Sequence, residues 1–229
     1  MAITLEQLQA ALQGVVDPNT GKDLLTSKSA KNLQIKGDDV SVDVVLGYPA
    51  KSQIEPIRAA VIAALKAAGA GNVSANVQQK IVAHTVQRGV KVMPNVKNII
   101  AVASGKGGVG KSTTAANLAL ALAAEGASVG VLDADIYGPS QPTMFGISGQ
   151  PESADGKTMS PLENYGVQVN SIGFLIDADQ AVVWRGPIVV QALTQLLEQT
   201  NWADLDYLII DMPPGTGDIQ LTMAQKVPV

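Results

Sequence analysis

The most constraining feature of the sequence is a glycine-rich turn between an apolar run and a helix-forming stretch, IIAVASGKGGVGKSTTAAN at residues 99–117. The apolar run 99–103 predicts a buried strand, and the Ala- and Leu-rich residues 113–124 predict a helix. Between them, residues 105–112 match the pattern G-x-x-x-x-G-K-[ST], which is typical of a phosphate-binding loop when it joins a strand to a helix. The chain is therefore expected to bind a phosphorylated ligand at this turn.

The residue types of this turn suit a bound phosphate. Glycines leave backbone N–H groups accessible and permit unusual dihedral angles, and the following helix adds unpaired donors at its N-terminus. Lys111 is expected to place a charge on the outer phosphates, and the Ser112 hydroxyl is expected to contact Mg²⁺. The predicted ligand-binding residues are Gly105, Lys106, Gly107, Gly108, Val109, Gly110, Lys111, Ser112 and Thr113.

Carboxylates follow two further apolar runs in this half of the chain. Residues 128–132 and 207–210 read as buried strands, and they lead into Asp133, Asp135 and Asp211. Apolar strands that alternate with helices predict an α/β fold with a parallel sheet covered on both faces. Ligands bind beyond the carboxyl ends of such strands, where these three carboxylates are expected.

Each of these carboxylates has a predicted role. Asp211 closes an apolar strand, which is the Walker B arrangement that holds Mg²⁺, and Asp133 is expected to support the same metal shell. Asp135 is expected to orient or deprotonate the attacking water, although it could instead cap a turn. The glycines at 215 and 217, beside Thr216 and Asp218, would let the following loop change its backbone state as a switch.

The first part of the chain predicts a small α+β domain. Thr4 to Gln7 fit a helix capping box, and Ser52 to Glu55 fit a second one. Valines alternate with polar residues at 40–44, and Val73, Ala75 and Val77 do so at 73–77, so both segments predict half-buried strands. Residues 36–39 have hairpin chemistry. We expect a small domain over residues 1–86, a linker over 87–97 and a P-loop domain over 98–229.

Composition excludes several classes of function. The 229 residues contain no cysteine and a single histidine, so thiolate metal sites and cysteine nucleophiles are excluded for this stretch. A net charge of −4 and an aromatic content of 3% argue against a nucleic-acid partner. Neither a signal peptide nor an apolar run long enough to span a membrane is evident, so a cytoplasmic protein without membrane association is expected.

The loop sequence GKGGVGKST resembles the deviant Walker A motif of the MinD/ParA class of P-loop ATPases. In that class the early lysine, here Lys106, reaches across a homodimer to the nucleotide of the partner subunit. The resemblance therefore implies a catalytic role for Lys106, in addition to the catalytic roles predicted above for Lys111 and Asp135. The alternative for Lys106 is a solvated loop lysine.

Two further runs, DADIYGPS at 133–140 and DMPPGTGD at 211–218, resemble the Mrp/ApbC family of iron–sulfur cluster carrier ATPases. The segments Asp17–Pro18 and LGYP at 46–49 resemble the small accessory domain that precedes the ATPase in that family. The resemblance implies an ATP- and Mg²⁺-dependent homodimer that hydrolyses ATP weakly and transfers a cluster to apo iron–sulfur proteins.

The chain departs from the family in one respect. Family members hold the cluster through a Cys-x-x-Cys pair near the C-terminus, and these 229 residues have no cysteine. The sequence is thus expected to be a C-terminally truncated piece, with a cluster bound only by the full-length family member. Two alternatives stay open, a spatial-positioning ATPase of the MinD/ParA type and a non-catalytic nucleotide-binding fragment.

Overall fold

The computed structural model describes residues 3–84, 93, 95–175 and 186–215, with the backbone alone for 186–189. Close contacts divide the chain into two compact units, Met1–Val82 and Ala83–Val229. Most of the predicted linker, residues 87–92 and 94, lies outside the described part. The strand that opens the second unit begins at Val96, inside the range predicted as linker.

The first unit consists of a helix, two strands, a second helix and a third strand, in that order. Its elements are α1 (Leu5–Gln13), β1 (Ala30–Lys36), β2 (Asp39–Leu46), α2 (Ile54–Ala67) and β3 (Val73–Gln79). β1 pairs antiparallel with β2 through the predicted hairpin, and β2 pairs parallel with β3. One apolar face of this sheet packs against both helices, with Val42, Val44, Leu8 and Val61 buried in a common core.

One of the two predicted helix caps is present. The Gln7 backbone N–H donates to Thr4 Oγ1 at 3.3 Å, and the Thr4 N–H donates to Gln7 Oε1 at 3.1 Å. The predicted cap at Ser52 is wrong, because a 3₁₀ turn over Lys51–Gln53 leads into α2 and makes Gln53 the N-cap, without a side-chain cap bond. Ser52 therefore lies within a helical turn, where it cannot act as the N-cap.

Asp17, in the first unit, connects the two segments that carry the accessory-domain resemblance. The Tyr48 hydroxyl donates to Asp17 Oδ1 at 2.7 Å, and the Asn19 N–H donates to the same oxygen at 2.9 Å. Asp17 is only 3% exposed. Its carboxylate thus fixes the turn after α1 against the Tyr48 segment.

The second unit is built on a five-stranded sheet. Its elements are β4 (Val96–Val102), α3 (Lys111–Ala124), β5 (Val129–Asp133), α4 (Gln141–Phe145), β6 (Leu162–Asn164), β7 (Val167–Ser171), α5 (Gly186–Gln199) and β8 (Leu205–Asp211). The strand order is β4-β8-β5-β7-β6, with β6 antiparallel to β7 and the other pairs parallel. The predicted α/β class is confirmed, with one antiparallel strand that the sequence pattern did not predict.

Helices cover both faces of this sheet. α3 lies on one face and buries Ala115 and Ala119, whereas Leu193 and Leu196 of α5 join the core of the other face with Leu208 of β8. Every residue of β5 is buried, as predicted. β4 is only half-buried along most of its length, because it is an edge strand of the sheet that the described residues form.

Three strands of this sheet end together beside the start of α3. Val102 of β4 and Asp133 of β5 both pair in register with Asp211 of β8. The Met212 N–H donates to the Val102 carbonyl at 3.0 Å, and the Ala134 N–H donates to the Asp211 carbonyl at 2.9 Å. The strand ends that carry the predicted carboxylates are therefore fixed relative to one another.

None of the helices in the described ranges has both the length and the apolar character needed to cross a membrane.

Candidate nucleotide-binding site

The glycine-rich loop between β4 and α3 is exposed from Gly105 to Gly110. Gly108 and Gly110 have φ angles of +76° and +87°, a left-handed conformation in which a residue with a Cβ is strained. Gly110 is also the N-cap of α3, so the first N–H groups of that helix face the loop. The loop thus has the backbone freedom and the donors that the sequence predicted for phosphate binding.

Lys111 is the centre of the charged groups at this site. Its side chain is buried, and its Nζ donates to Asp211 Oδ1 and, at 3.1 Å, to Ser112 Oγ. The same Nζ lies 3.9 Å from Asp135 Oδ2. Three other predicted site residues, Ser112, Asp135 and Asp211, therefore lie around the Lys111 ammonium group.

Asp133 is fully buried, and both of its carboxylate oxygens accept hydrogen bonds from the protein. The Ser140 and Gln141 N–H groups donate to Oδ2 at 2.9 and 3.0 Å, and the Ser171 hydroxyl donates to it at 3.1 Å. The Asp135 N–H donates to Oδ1 at 3.2 Å. Asp133 thus holds the turn before α4, and its predicted support of a metal shell stays a prediction.

Burial raises the pKa of Asp133 from 3.8 to about 6. The hydrogen bond from the Gln141 N–H lowers this pKa, whereas the negative charge of the nearby Asp211 raises it. The folded state therefore binds this proton more tightly than the unfolded state. The stability that Asp133 contributes is fully present below about pH 4 and is lost as the pH rises through about 6.

We expect Asp133→Asn to remove this pH dependence, because asparagine keeps an acceptor oxygen but does not titrate. Between about pH 4 and pH 7 the free energy of unfolding of the wild type should fall, relative to the variant, by up to roughly 3 kcal/mol. Chemical denaturation of both proteins at a series of pH values measures this difference. A difference that stays constant across that range would contradict the raised pKa.

Asp135 lies nearer the surface and is half-buried. Burial raises its pKa, and the Lys111 ammonium opposes this rise. A carboxylate with a raised pKa beside a phosphate site is better suited to accept a proton than an ordinary one. The geometry is thus compatible with the predicted action of Asp135 on water, which stays a prediction.

Lys106 differs from these residues because it is exposed to solvent. Its carbonyl accepts a hydrogen bond from the Ser104 hydroxyl at 3.0 Å. The Gly215 N–H donates to the Ser104 carbonyl at 2.9 Å, which ties the start of the predicted switch to the glycine-rich loop. The rest of that switch, Thr216 to Asp218, lies outside the described residues.

Gln141 is a residue of this site that the sequence did not predict. Its side chain is fully buried, and Nε2 donates to Asp211 Oδ2 at 2.8 Å and to the Ser112 carbonyl at 3.1 Å. These partners are 70 and 29 residues away in sequence, so no local pattern indicates the contact.

The oxygen donors at this site fit the predicted Mg²⁺. Ser112 Oγ and Asp211 Oδ1 both contact the Lys111 ammonium, so a cation already lies between the two predicted ligands. Hydroxyl and carboxylate oxygens are the ligands Mg²⁺ prefers, usually one or two of them together with substrate phosphates. In the described part of the chain, no group of three or more His, Cys, Asp or Glu residues has the geometry of a metal site.

Comparison with known proteins gives two family matches. The model for the NUBPL iron-transfer P-loop NTPase matches residues 95–229, and the model for the iron–sulfur cluster assembly protein matches residues 5–78. A nucleotide-binding protein from Archaeoglobus fulgidus in complex with ADP is 41% identical, with a TM-score of 0.49, over 57% of this chain and 51% of that one.

Curated relatives carry the name iron–sulfur cluster carrier protein. The Escherichia coli K12 protein is 49% identical over 98% of this chain and 62% of its own length. The Synechocystis protein is 45% identical over 99% of this chain and 66% of its own length. The chain thus spans less than two thirds of the length of these relatives.

These matches confirm the resemblance that the two aspartate motifs indicated. The first family model covers more than half of the chain, including the glycine-rich loop and all three carboxylates. The chain therefore belongs to the family of NUBPL iron-transfer P-loop NTPases.

Proposed function

We propose that the protein containing this chain is an ATP-dependent iron–sulfur cluster carrier. In this proposal the second unit binds ATP with Mg²⁺ and hydrolyses it slowly, and the protein acts in the cytoplasm as a homodimer. Its partners are apo iron–sulfur proteins, and the first unit is an accessory domain for cluster assembly. Membership of an iron-transfer NTPase family and the names of the relatives support the carrier role over a spatial-positioning switch.

The observation that carries the nucleotide part of the proposal is the position of the Lys111 ammonium. It lies between Ser112 and Asp211, directly beyond an exposed loop with left-handed glycines. When phosphates enter the loop, we infer that the ammonium turns toward them, because their charge is larger than that of one carboxylate. This move frees the oxygens of Ser112 and Asp211 for a metal ion.

The residues of the chain would then divide the work of phosphoryl transfer. Loop N–H groups and Lys111 would bind and orient the phosphates, and Asp135 would hold the attacking water. Mg²⁺, when bound, would neutralise charge on the phosphate oxygens. Lys106, on the exposed loop, would reach the nucleotide of the second subunit.

The iron–sulfur cluster is the cargo in this proposal. Cluster iron is held mainly by cysteine thiolates, and the 229 residues contain none. His84, the one histidine, is exposed and interacts with Asn98 through Nδ1 at 2.7 Å. We therefore propose that this stretch supplies the nucleotide switch and that cluster ligands come from other residues.

Anaerobic reconstitution tests whether the cluster ligands lie outside these 229 residues. The 229-residue chain and the complete protein encoded by its gene would be incubated with iron and sulfide, and bound iron, sulfide and visible absorption would be measured. We expect no stoichiometric cluster on the 229-residue chain. A stoichiometric cluster there would show that the ligand argument is wrong.

Transfer to an acceptor tests the carrier role itself. The cluster-loaded complete protein would be mixed with an apo iron–sulfur enzyme whose activity returns only with its cluster. We expect the wild-type protein to restore the activity of the acceptor enzyme. Addition of ATP should change the rate of this recovery with the wild type but not with Lys111→Ala. Failure of the loaded wild type to restore the acceptor would refute the carrier proposal.

A further inference from the structure

We infer that Gln141 is a positioning residue that fixes the orientation of the Asp211 carboxylate for metal-bound nucleotide. This inference rests on the proposed nucleotide function. Gln141 is the first residue of α4, and its side chain has no exposed surface. Its side-chain amide contacts both Ser112, at the start of α3, and Asp211, at the end of β8.

The two contacts of the Gln141 amide establish which of its ends faces Asp211. Asp211 Oδ2 and the Ser112 carbonyl are both acceptors, so the group that faces them must be the amide NH₂. Its two protons are then both used, one for the carboxylate and one for the backbone of the residue that follows Lys111. An apolar side chain of the same length could fill the space but could not make these bonds.

Gln141 itself is held in place by the turn before α4. The Ser140 and Gln141 N–H groups both donate to Asp133 Oδ2, and the Ser171 hydroxyl donates to the same oxygen. Phe145, at the other end of α4, is buried. The Gln141 amide therefore reaches Asp211 from a fixed backbone.

The other end of the amide points to a role beyond packing. Gln141 Oε1 is buried, yet it has no hydrogen-bond partner among the described residues, and the same is true of the neighbouring Ser140 Oγ. A buried acceptor without a partner is costly in a native protein unless a water or ligand satisfies it. Beside a carboxylate that is expected to face Mg²⁺, the fitting partner is a water molecule of the hydrated ion.

The consequence concerns the state in which Lys111 has turned to the phosphates. Asp211 Oδ1 then loses its ammonium partner, and among the described residues the Gln141 bond to Oδ2 is the side-chain hydrogen bond that still limits rotation of the carboxylate. Groups that orient a metal-binding side chain typically change metal affinity by about 10–100-fold when they are removed. Loss of the Gln141 amide should thus weaken the binding of nucleotide with Mg²⁺ much more than binding without it.

The test compares nucleotide affinity in Mg²⁺ and in EDTA, measured by titration of the complete protein with a fluorescent, non-hydrolysable ATP analogue. We expect Gln141→Met, which keeps the length of the side chain, to lose about tenfold affinity in Mg²⁺ and less than about twofold in EDTA. Thr143→Ala, at an exposed position of the same helix, is the matched control and should bind as the wild type does. Gln141→Leu, should the Met variant fail to fold, gives the same comparison with a shorter apolar side chain that cannot donate a hydrogen bond.

The comparison of Mg²⁺ with EDTA distinguishes failure of the Gln141 inference from failure of the proposed nucleotide site. An equal loss of affinity in Mg²⁺ and EDTA would assign Gln141 a general structural role and overturn the inference, and so would unchanged affinity in both. Wild-type protein that binds the analogue equally well in Mg²⁺ and EDTA, or not at all, would instead refute the proposed Mg²⁺–nucleotide site and the inference with it.

Discussion

Replacement of Lys111 by alanine should both destabilise the nucleotide-free protein and weaken nucleotide binding. Asp211 is fully buried, and in the part of the chain that the structure describes the Lys111 ammonium is the positive charge that contacts it. Removal of one partner of a buried ion pair leaves an uncompensated charge, which typically costs about 3–5 kcal/mol. Thermal unfolding without nucleotide should therefore show a Tm lower by roughly 10 °C.

The effect on nucleotide is separate from this effect on folding. A hydrogen bond to a charged group contributes more than about 1 kcal/mol, so Lys111→Ala should bind ATP at least several-fold more weakly in isothermal calorimetry. The double variant Lys111→Met with Asp211→Asn removes both charges and should recover most of the lost stability. It should not recover the affinity for ATP, because the positive charge that Lys111 is expected to place beside the phosphates is still absent.

Lys106→Ala is the matched control, because Lys106 is a lysine of the same loop that is exposed. Its Tm should stay close to that of the wild type, as is usual for exposed substitutions. If Lys111→Ala unfolded at the wild-type temperature, the buried ion pair would contribute nothing to folding. If it bound ATP as tightly as the wild type, the role of Lys111 on the phosphates would be refuted.

The sequence predicted the parts of this molecule that depend on local chemistry. The strand, glycine-rich loop and helix around Lys111 follow from residues that are adjacent in sequence, as do the Thr4 cap and the hairpin between β1 and β2. The three carboxylates were located by another local rule, since each lies at or just after the end of an apolar run. Their convergence follows because parallel strands end at the same edge of a sheet.

Contacts between distant segments could not be predicted in this way. Gln141 is polar and lies in a five-residue helix, and only the fold brings it to Asp211 and Ser112. The exposure of β4 depends on which strands flank it, and an apolar run does not reveal that. Ser52 is not the N-cap because the chain forms a 3₁₀ turn there, and the Ser-x-x-Glu pattern does not predict such a turn.

Asp135→Asn and Lys106→Ala should each lower ATP hydrolysis far more than ATP binding. Asp135 lies 3.9 Å from the Lys111 ammonium, close to the expected phosphates, and loss of a general base typically costs about 10²–10⁴-fold in rate. A residue that acts only in the transition state lowers kcat without a comparable change in affinity. Steady-state hydrolysis and analogue binding, measured on the complete protein, give the two quantities.

Mixed subunits then decide whether Lys106 acts on the nucleotide of its own subunit or of the partner. In a dimer of one Lys106→Ala and one Asp135→Asn subunit, action across the interface leaves one site with both residues intact and the other with neither. Random pairing of equal amounts of the two variants should thus restore about a quarter of the wild-type rate, because half of the dimers are mixed and each has one active site. Action within a subunit leaves every site defective, so a mixture no more active than the sum of the separate variants would refute action across the interface.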